Sequence, residues 1–126
     1  MCDLSSCTVM IVDDTETNID ILVEALGSDF DLRVAMDGET ALEAIADETP
    51  DLILLDIMMP DIKGNEVCRK IKSNEDTRDV KIIVLSAYLD EEKFKEMKDH
   101  GADVCFSKPL PLPQLKEEVA RLLELK

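Results

Sequence analysis

Tryptophan is absent from the 126-residue chain, tyrosine occurs once and phenylalanine three times, so stacked aromatic rings cannot organise its interior. Aliphatic side chains must build the core instead. No apolar run reaches the roughly 18 residues that a membrane helix needs. The opening MCDLSSCTVMIV also lacks the basic stretch and long apolar core of a secretory leader. The chain is therefore expected to work in the cytoplasm, away from any membrane. The four cysteines, Cys2, Cys7, Cys68 and Cys105, contain no CxxC pair and match neither a disulfide framework nor a zinc site, so they are expected to be reduced thiols. Basic residues are scarce: 14 against 29 acidic ones give a formal net charge of −15, which repels nucleic-acid phosphates and anionic lipid surfaces and excludes direct binding to either. Linkers, repeats and low-complexity tracts are missing too. At this length a single domain over residues 1–126 is expected, with no room for an output domain.

What is present is 45% hydrophobic and 34% charged, the composition of a globular protein. Short apolar runs at Val9 to Val12, Leu52 to Leu55 and Ile82 to Leu85, with weaker ones at Leu32 to Ala35 and Val104 to Phe106, predict strands. Their nearly unbroken apolarity predicts cover on both faces. Between them the spacing turns helical: Ile19, Leu22, Val23 and Leu26; Ala41, Leu42 and Ile45; Val67 and Ile71; Leu115, Val119 and Leu122. Residues 90–100 carry only Phe94 and Met97 on a charged background, which predicts the least buried helix and the one freest to move. Gly27, Gly64 and Gly101 mark ends or turns, Pro50 precedes a strand, and Pro113 suits the first turn of the last helix. Alternating strands and helices predict a doubly wound α/β domain: a five-stranded parallel sheet, right-handed crossovers and helices on both faces.

In such sheets the site forms beyond the carboxyl ends of the strands. The residues closing the apolar runs there are Asp13 and Asp14, Asp56, Ser86, and Ser107 with Lys108 and Pro109. Three carboxylates, a hydroxyl and an ammonium are thus expected to converge. Crowded carboxylates repel, and a hard divalent cation with oxygen ligands relieves them; Mg²⁺ suits two or three carboxylates plus waters. A carboxylate is already ionised at neutral pH and attacks phosphorus without a general base, provided that cations neutralise the phosphoryl oxygens. Asp56, the central carboxylate, is placed to attack. Lys108 would pair with one phosphoryl oxygen and the Ser86 hydroxyl would donate to another.

VDD at 12–14, LLDIMMPDIKG at 54–64, LSA at 85–87 and KP at 108–109 together resemble, in order and separation, the receiver-domain signature of two-component response regulators. The resemblance covers nearly the whole chain, and the joint pattern is far more specific than any part. It implies a flavodoxin-like, CheY-like fold with strand order 2-1-3-4-5. It implies phosphoryl transfer to Asp56 from a sensor histidine kinase or phosphotransfer protein, and Mg²⁺ arranged by Asp13, Asp14, Asp56 and the Met58 carbonyl. A cis peptide before Pro109 and a downstream protein target also follow from it, with a monomer or a phosphorylation-dependent dimer as the assembly. The family usually carries Tyr or Phe three residues before its lysine, where this chain has Cys105 with Phe106 as neighbour. That departure weakens the usual hydroxyl-to-ring coupling and makes Tyr88, two residues beyond Ser86, a candidate to carry the signal.

Each residue also has a plainer reading. Asp13 and Asp14 could cap a helix, Asp56 could be a turn residue, and Ser86 or Lys108 alone carries little weight. His100 complements a helix end before Gly101 and is read as structural, and the Met58 and Met59 side chains as loop packing. An Asp-nucleophile phosphatase needs Asp-x-Asp after its first strand, which Asp13, Asp14 and Thr15 do not supply. A flavin carrier wants a hydroxyl-rich and backbone-rich phosphate cradle where DDTETN stands. The remaining alternative is a receiver-like interaction module that works without phosphorylation, for which Cys105 speaks and the intact Asp13, Asp14, Asp56, Ser86 and Lys108 speak against.

Overall fold

The computed structural model of the protein describes residues 7–27, 30–56, 64–86, 91–99, 101–107 and 112–124. Five strands alternate with five helices: β1 (Thr8–Val12), α1 (Glu16–Leu26), β2 (Asp31–Ala35), α2 (Gly38–Asp47), β3 (Leu52–Asp56), α3 (Gly64–Ser73), β4 (Lys81–Ser86), α4 (Glu91–Asp99), β5 (Val104–Ser107) and α5 (Leu112–Glu124). The strands form one parallel sheet in the order β2-β1-β3-β4-β5.

Period-two alternation splits the strand side chains between two cores. Met10, Val12, Ile53, Leu55, Ile82 and Val84 meet Ala41, Ile45, Val67, Ile71 and Met97 from α2, α3 and α4. Val9, Ile11, Leu52, Leu54, Ile83 and Leu85 meet Ile19, Leu22, Leu26, Leu115, Val119 and Leu122 from α1 and α5. Cover on both faces is the reason β3 reads LILLD with every residue buried.

Two expectations need correction. β2 is not covered on both faces: it is an edge strand, and Val34 is 45% exposed. Val23 does not belong to the buried stripe of α1, which is Ile19, Leu22 and Leu26; at 39% exposure it lies on the helix flank. In α4, Met97 is the buried anchor, while the Phe94 side chain and His100 lie outside the described residues.

The amino end of the sheet is closed by side chains. Asp51 Oδ2 accepts the Thr8 N–H and Asp103 Oδ2 accepts the Ile82 N–H, both at 2.8 Å, occupying donors at the start of two ladders. Lys72 Nζ donates to the Arg78 and Val80 carbonyls at 3.0 and 2.7 Å and lies 3.9 Å from Asp103, so α3, the following loop and the entry to β5 are tied together. Gly101 turns the chain beside this lysine with φ of 106°, and a Cβ there would stand 2.5 Å from Lys72 Cγ. Gly101→Ala should lower stability by about 2 kcal/mol through the left-handed backbone alone, while Val34→Thr should stay within about 0.5 kcal/mol because that position is half in solvent. Urea unfolding of both variants checks the contrast.

Candidate functional site

The chain leaves β1 toward β2 on one side and returns to β3 on the other, so a crevice opens between the carboxyl ends of β1 and β3. Asp13 follows β1 directly and Asp56 is the last residue of β3. A bond from the Asp13 N–H to the Ala35 carbonyl at 3.1 Å extends the β1–β2 ladder by one step and fixes the backbone of Asp13. Its Oδ1 accepts the Thr15 N–H at 2.9 Å, an Asx turn that redirects the chain into α1. Thr15 Oγ1 donates to Asp14 Oδ1 at 3.4 Å, and the Thr15 carbonyl accepts the Ile19 N–H to begin the helix. Asp56 pairs in register with Leu85, one residue before Ser86.

This framework brings one carboxylate oxygen from each of Asp13, Asp14 and Asp56 within 4.8 Å of one another. Asp13 and Asp56 are 1% and 4% exposed; Asp14 faces solvent. Two full charges at that separation repel by about 3 kcal/mol at an effective dielectric near 20. Opposite oxygens of a Mg²⁺ octahedron stand about 4 Å apart, so an all-oxygen set of this spread fits a small hard cation and suits a soft one poorly.

A family profile described as the response regulator receiver domain matches residues 9–120. The chain belongs to that family. It is 37% identical over 98% of its length to the Vibrio cholerae protein named "Probable cyclic di-GMP phosphodiesterase", of which it spans 28%. It is 31% identical over 92% of its length to the polar-differentiation response regulator DivK of Brucella ovis, spanning 95% of that protein. Its fold matches the CheY-like receiver domain protein of Methanospirillum hungatei with a TM-score of 0.88 and 26% identity, covering 96% of each chain. Receiver domains are phosphoacceptor switches of two-component signalling that meet histidine kinases and downstream targets and bind Mg²⁺ at an acidic pocket; this chain gathers Asp13, Asp14 and Asp56 into an acidic cluster.

Of the residues expected to converge, the three aspartates do. Ser86 ends β4 paired with Ser107 of β5, the residue before Lys108, so the backbone brings both strand ends to the same edge of the crevice. The Ser86 side chain, Met58, Tyr88, Lys108 and Pro109 lie outside the described residues. Cys105 is half-buried against the core under α2, α3 and α4, whereas Phe106 turns to the α1–α5 side. The two neighbours on β5 thus face opposite cores, and Phe106 does not share the side of Cys105. Sequence reasoning did not identify Thr15 and Ala35, whose backbone groups fix Asp13; the DDT run before a helix is the signal for the former. Among the described residues no helix is long and apolar enough to cross a membrane.

Among the described residues Cys7 and Cys68 are buried and Cys105 is half-buried, and none of the three forms a disulfide. Burial pushes the Cys68 thiol up to about 11, and burial also raises Cys105, against the pull of Lys98. Cys68 should therefore react with a disulfide reagent at pH 8 only as fast as the protein unfolds, and fully in urea, as followed by thiol titration of a variant keeping that cysteine alone. The sign of its linkage is equally definite. Because the folded thiol holds its proton to higher pH than the unfolded one, its stabilising contribution is complete below the ordinary thiol range and declines from there toward pH 11. Asp13→Asn keeps an oxygen for the Thr15 N–H while removing one of three crowded charges, so stability without divalent ions should rise by about 1 kcal/mol, measurable by urea unfolding.

Proposed function

We propose that Asp56 accepts a phosphoryl group from a sensor histidine kinase or a phosphotransfer protein, and that this switches a protein-interaction surface. The observation that carries the reading is the burial of Asp56 at the end of β3, with an oxygen within 4.8 Å of oxygens of Asp13 and Asp14. An Asp56 carboxylate oxygen forms the new bond to phosphorus while the phosphorus–nitrogen bond of the donor phosphohistidine breaks and the imidazole nitrogen keeps the electron pair. Asp13, Asp14, Asp56 and the Met58 backbone carbonyl would hold Mg²⁺, which when bound would offset the charge of the phosphoryl oxygens. Lys108 pairs with one of these oxygens and the Ser86 hydroxyl donates to another, so the phosphorylated state draws the ends of β4 and β5 toward Asp56. The chain's own chemistry is limited to Mg²⁺-dependent self-phosphorylation and self-dephosphorylation.

Output then follows from a two-state equilibrium biased by the phosphoryl group. The responding face includes α4, anchored through Met97 in the core against which the half-buried Cys105 also packs. With cysteine in the inward place, Tyr88 rather than a ring on β5 reports the state of Ser86. Residues 1–126 act as one receiver domain in the cytoplasm, as a monomer or a phosphorylation-dependent dimer, with a downstream protein as target.

Incubation with Mg²⁺ and acetyl phosphate, read by intact mass, should add one phosphoryl group. Asp56→Asn, or omission of Mg²⁺, should abolish the gain, and Lys108→Ala should reduce it. A folded protein that gains nothing from acetyl phosphate and nothing from histidine kinases would establish the phosphorylation-independent module instead. Tyr88→Ala should lose the phosphorylation-induced change in hydrogen exchange after Ser86 if that tyrosine carries the signal; an unaltered change removes it from the pathway.

A further inference from the structure

The net charge of −15 is distributed unevenly along the chain. Arg33 is the only lysine or arginine before Lys63, while from Lys63 onward acidic and basic side chains balance. The excess negative charge therefore sits on the half of the fold built from β1, α1, β2, α2 and β3. Within that half the one cation is engaged, since Arg33 donates to Glu48 at 2.5 Å beyond α2.

β2 forms one edge of the sheet and, among the described residues, pairs only with β1. The Asp31 N–H and the Ala35 carbonyl turn inward to β1, so the alternate residues Leu32 and Val34 direct their backbone groups outward. Leu32 packs on the α1–α5 side, and Val34, two residues on, shares that face. A Cβ at Gly27 would stand 3.8 Å from Leu32 Cδ1, which sets the end of α1 against the start of β2. α1 runs back along the strand, and four helical residues rise about 6 Å, close to the 6.6 Å or so of two strand residues. Val23 is therefore level with Val34. Val34 on the edge strand and Met36 just beyond it are exposed by 45% and 48%, and Val23 on α1 by 39%, so this side of the fold leaves three apolar side chains in solvent. The carboxylates of Asp20, Glu24 and Asp31 lie exposed on the same two elements.

Edge strands are ordinarily blunted by lysine, proline or a bulge, whereas this one offers outward backbone groups, branched apolar side chains and negative flanks. Two copies pairing here would bring their carboxylates together. We propose that the β2 edge is a docking site for an extended segment of a partner protein whose residues alternate between apolar and cationic. The segment adds as a further strand, its backbone meeting Leu32 and Val34, its apolar side chains covering Val23, Val34 and Met36, and its cations meeting the carboxylates. Docking needs no phosphoryl group and leaves the acidic pocket open.

A capped hexapeptide alternating valine and lysine serves as the probe, titrated into the isotope-labelled full chain without Mg²⁺ or phosphodonor. Amide shifts should be largest over residues 32–36. Glutamate or a valine-to-glycine exchange in the peptide should each weaken binding at least tenfold, as should Val34→Lys in the protein. Met36→Lys replaces that variant if the spectrum of Val34→Lys shows loss of the fold. No binding, equal binding of the lysine–glycine peptide, or shifts spread over the acidic helices without a maximum on β2 would overturn the proposal. Concentration-dependent shifts of β2 without any peptide would assign the edge to a second copy and overturn it equally.

Discussion

Three carboxylates held against their own repulsion are the constraint on which the rest of the molecule depends. Asp13 and Asp56 are almost wholly buried, with oxygens within 4.8 Å of each other and of Asp14. Nothing in an isolated strand or loop would tolerate that. The sheet enforces it because β1 and β3 are neighbours in register and their core residues are buried on both faces. Moving either aspartate away would break ladder hydrogen bonds and expose aliphatic surface at about 25 cal/mol for each Å². A cation or a phosphoryl group entering this crevice meets groups already in place, so little reorganisation accompanies binding.

The opposite end of the sheet uses the same residue type to the opposite effect. Asp51 and Asp103 each accept a strand N–H, and Asp103 also lies near Lys72, so both carboxylates are spent on ordinary hydrogen-bond satisfaction. Chemistry is confined to one end of the sheet by topology: the amino end is sealed by aspartates that face donors, the carboxyl end is left charged by aspartates that face one another.

Much of this was legible in the residues. Nearly unbroken apolar runs identified β1, β3 and β4, and the aspartates ending the first two identified the crevice, because the strand order of this sheet reverses between β1 and β3. β2 was legible as a strand but not as an edge, since DLRVA alternates in a way that reads equally well as a weak internal strand. Val23 misled for a related reason: helical spacing places it 100° from Leu22, where a neighbour on the sheet would bury it, and the sheet ends before reaching that far. The anchoring of Asp13 through Thr15 N–H and the Ala35 carbonyl involves backbone atoms, which residue types do not reveal.

Cys105 shows how strand alternation decides which side chain of β5 faces which core. Strand alternation fixes Cys105 on the α4 side and Phe106 on the α1–α5 side, so the ring cannot take over the inward place without a register slip that would turn every side chain of β5 to the wrong face. A thiol is small and, with burial raising its pKa, neutral, so it fills the place without the reach or hydroxyl of an aromatic residue. The aspartate cluster stands at the ends of β1 and β3, the nearer of them two strands away from Cys105 on β5. β5 therefore presents a small thiol, not a ring, to the core that it shares with Met97 of α4.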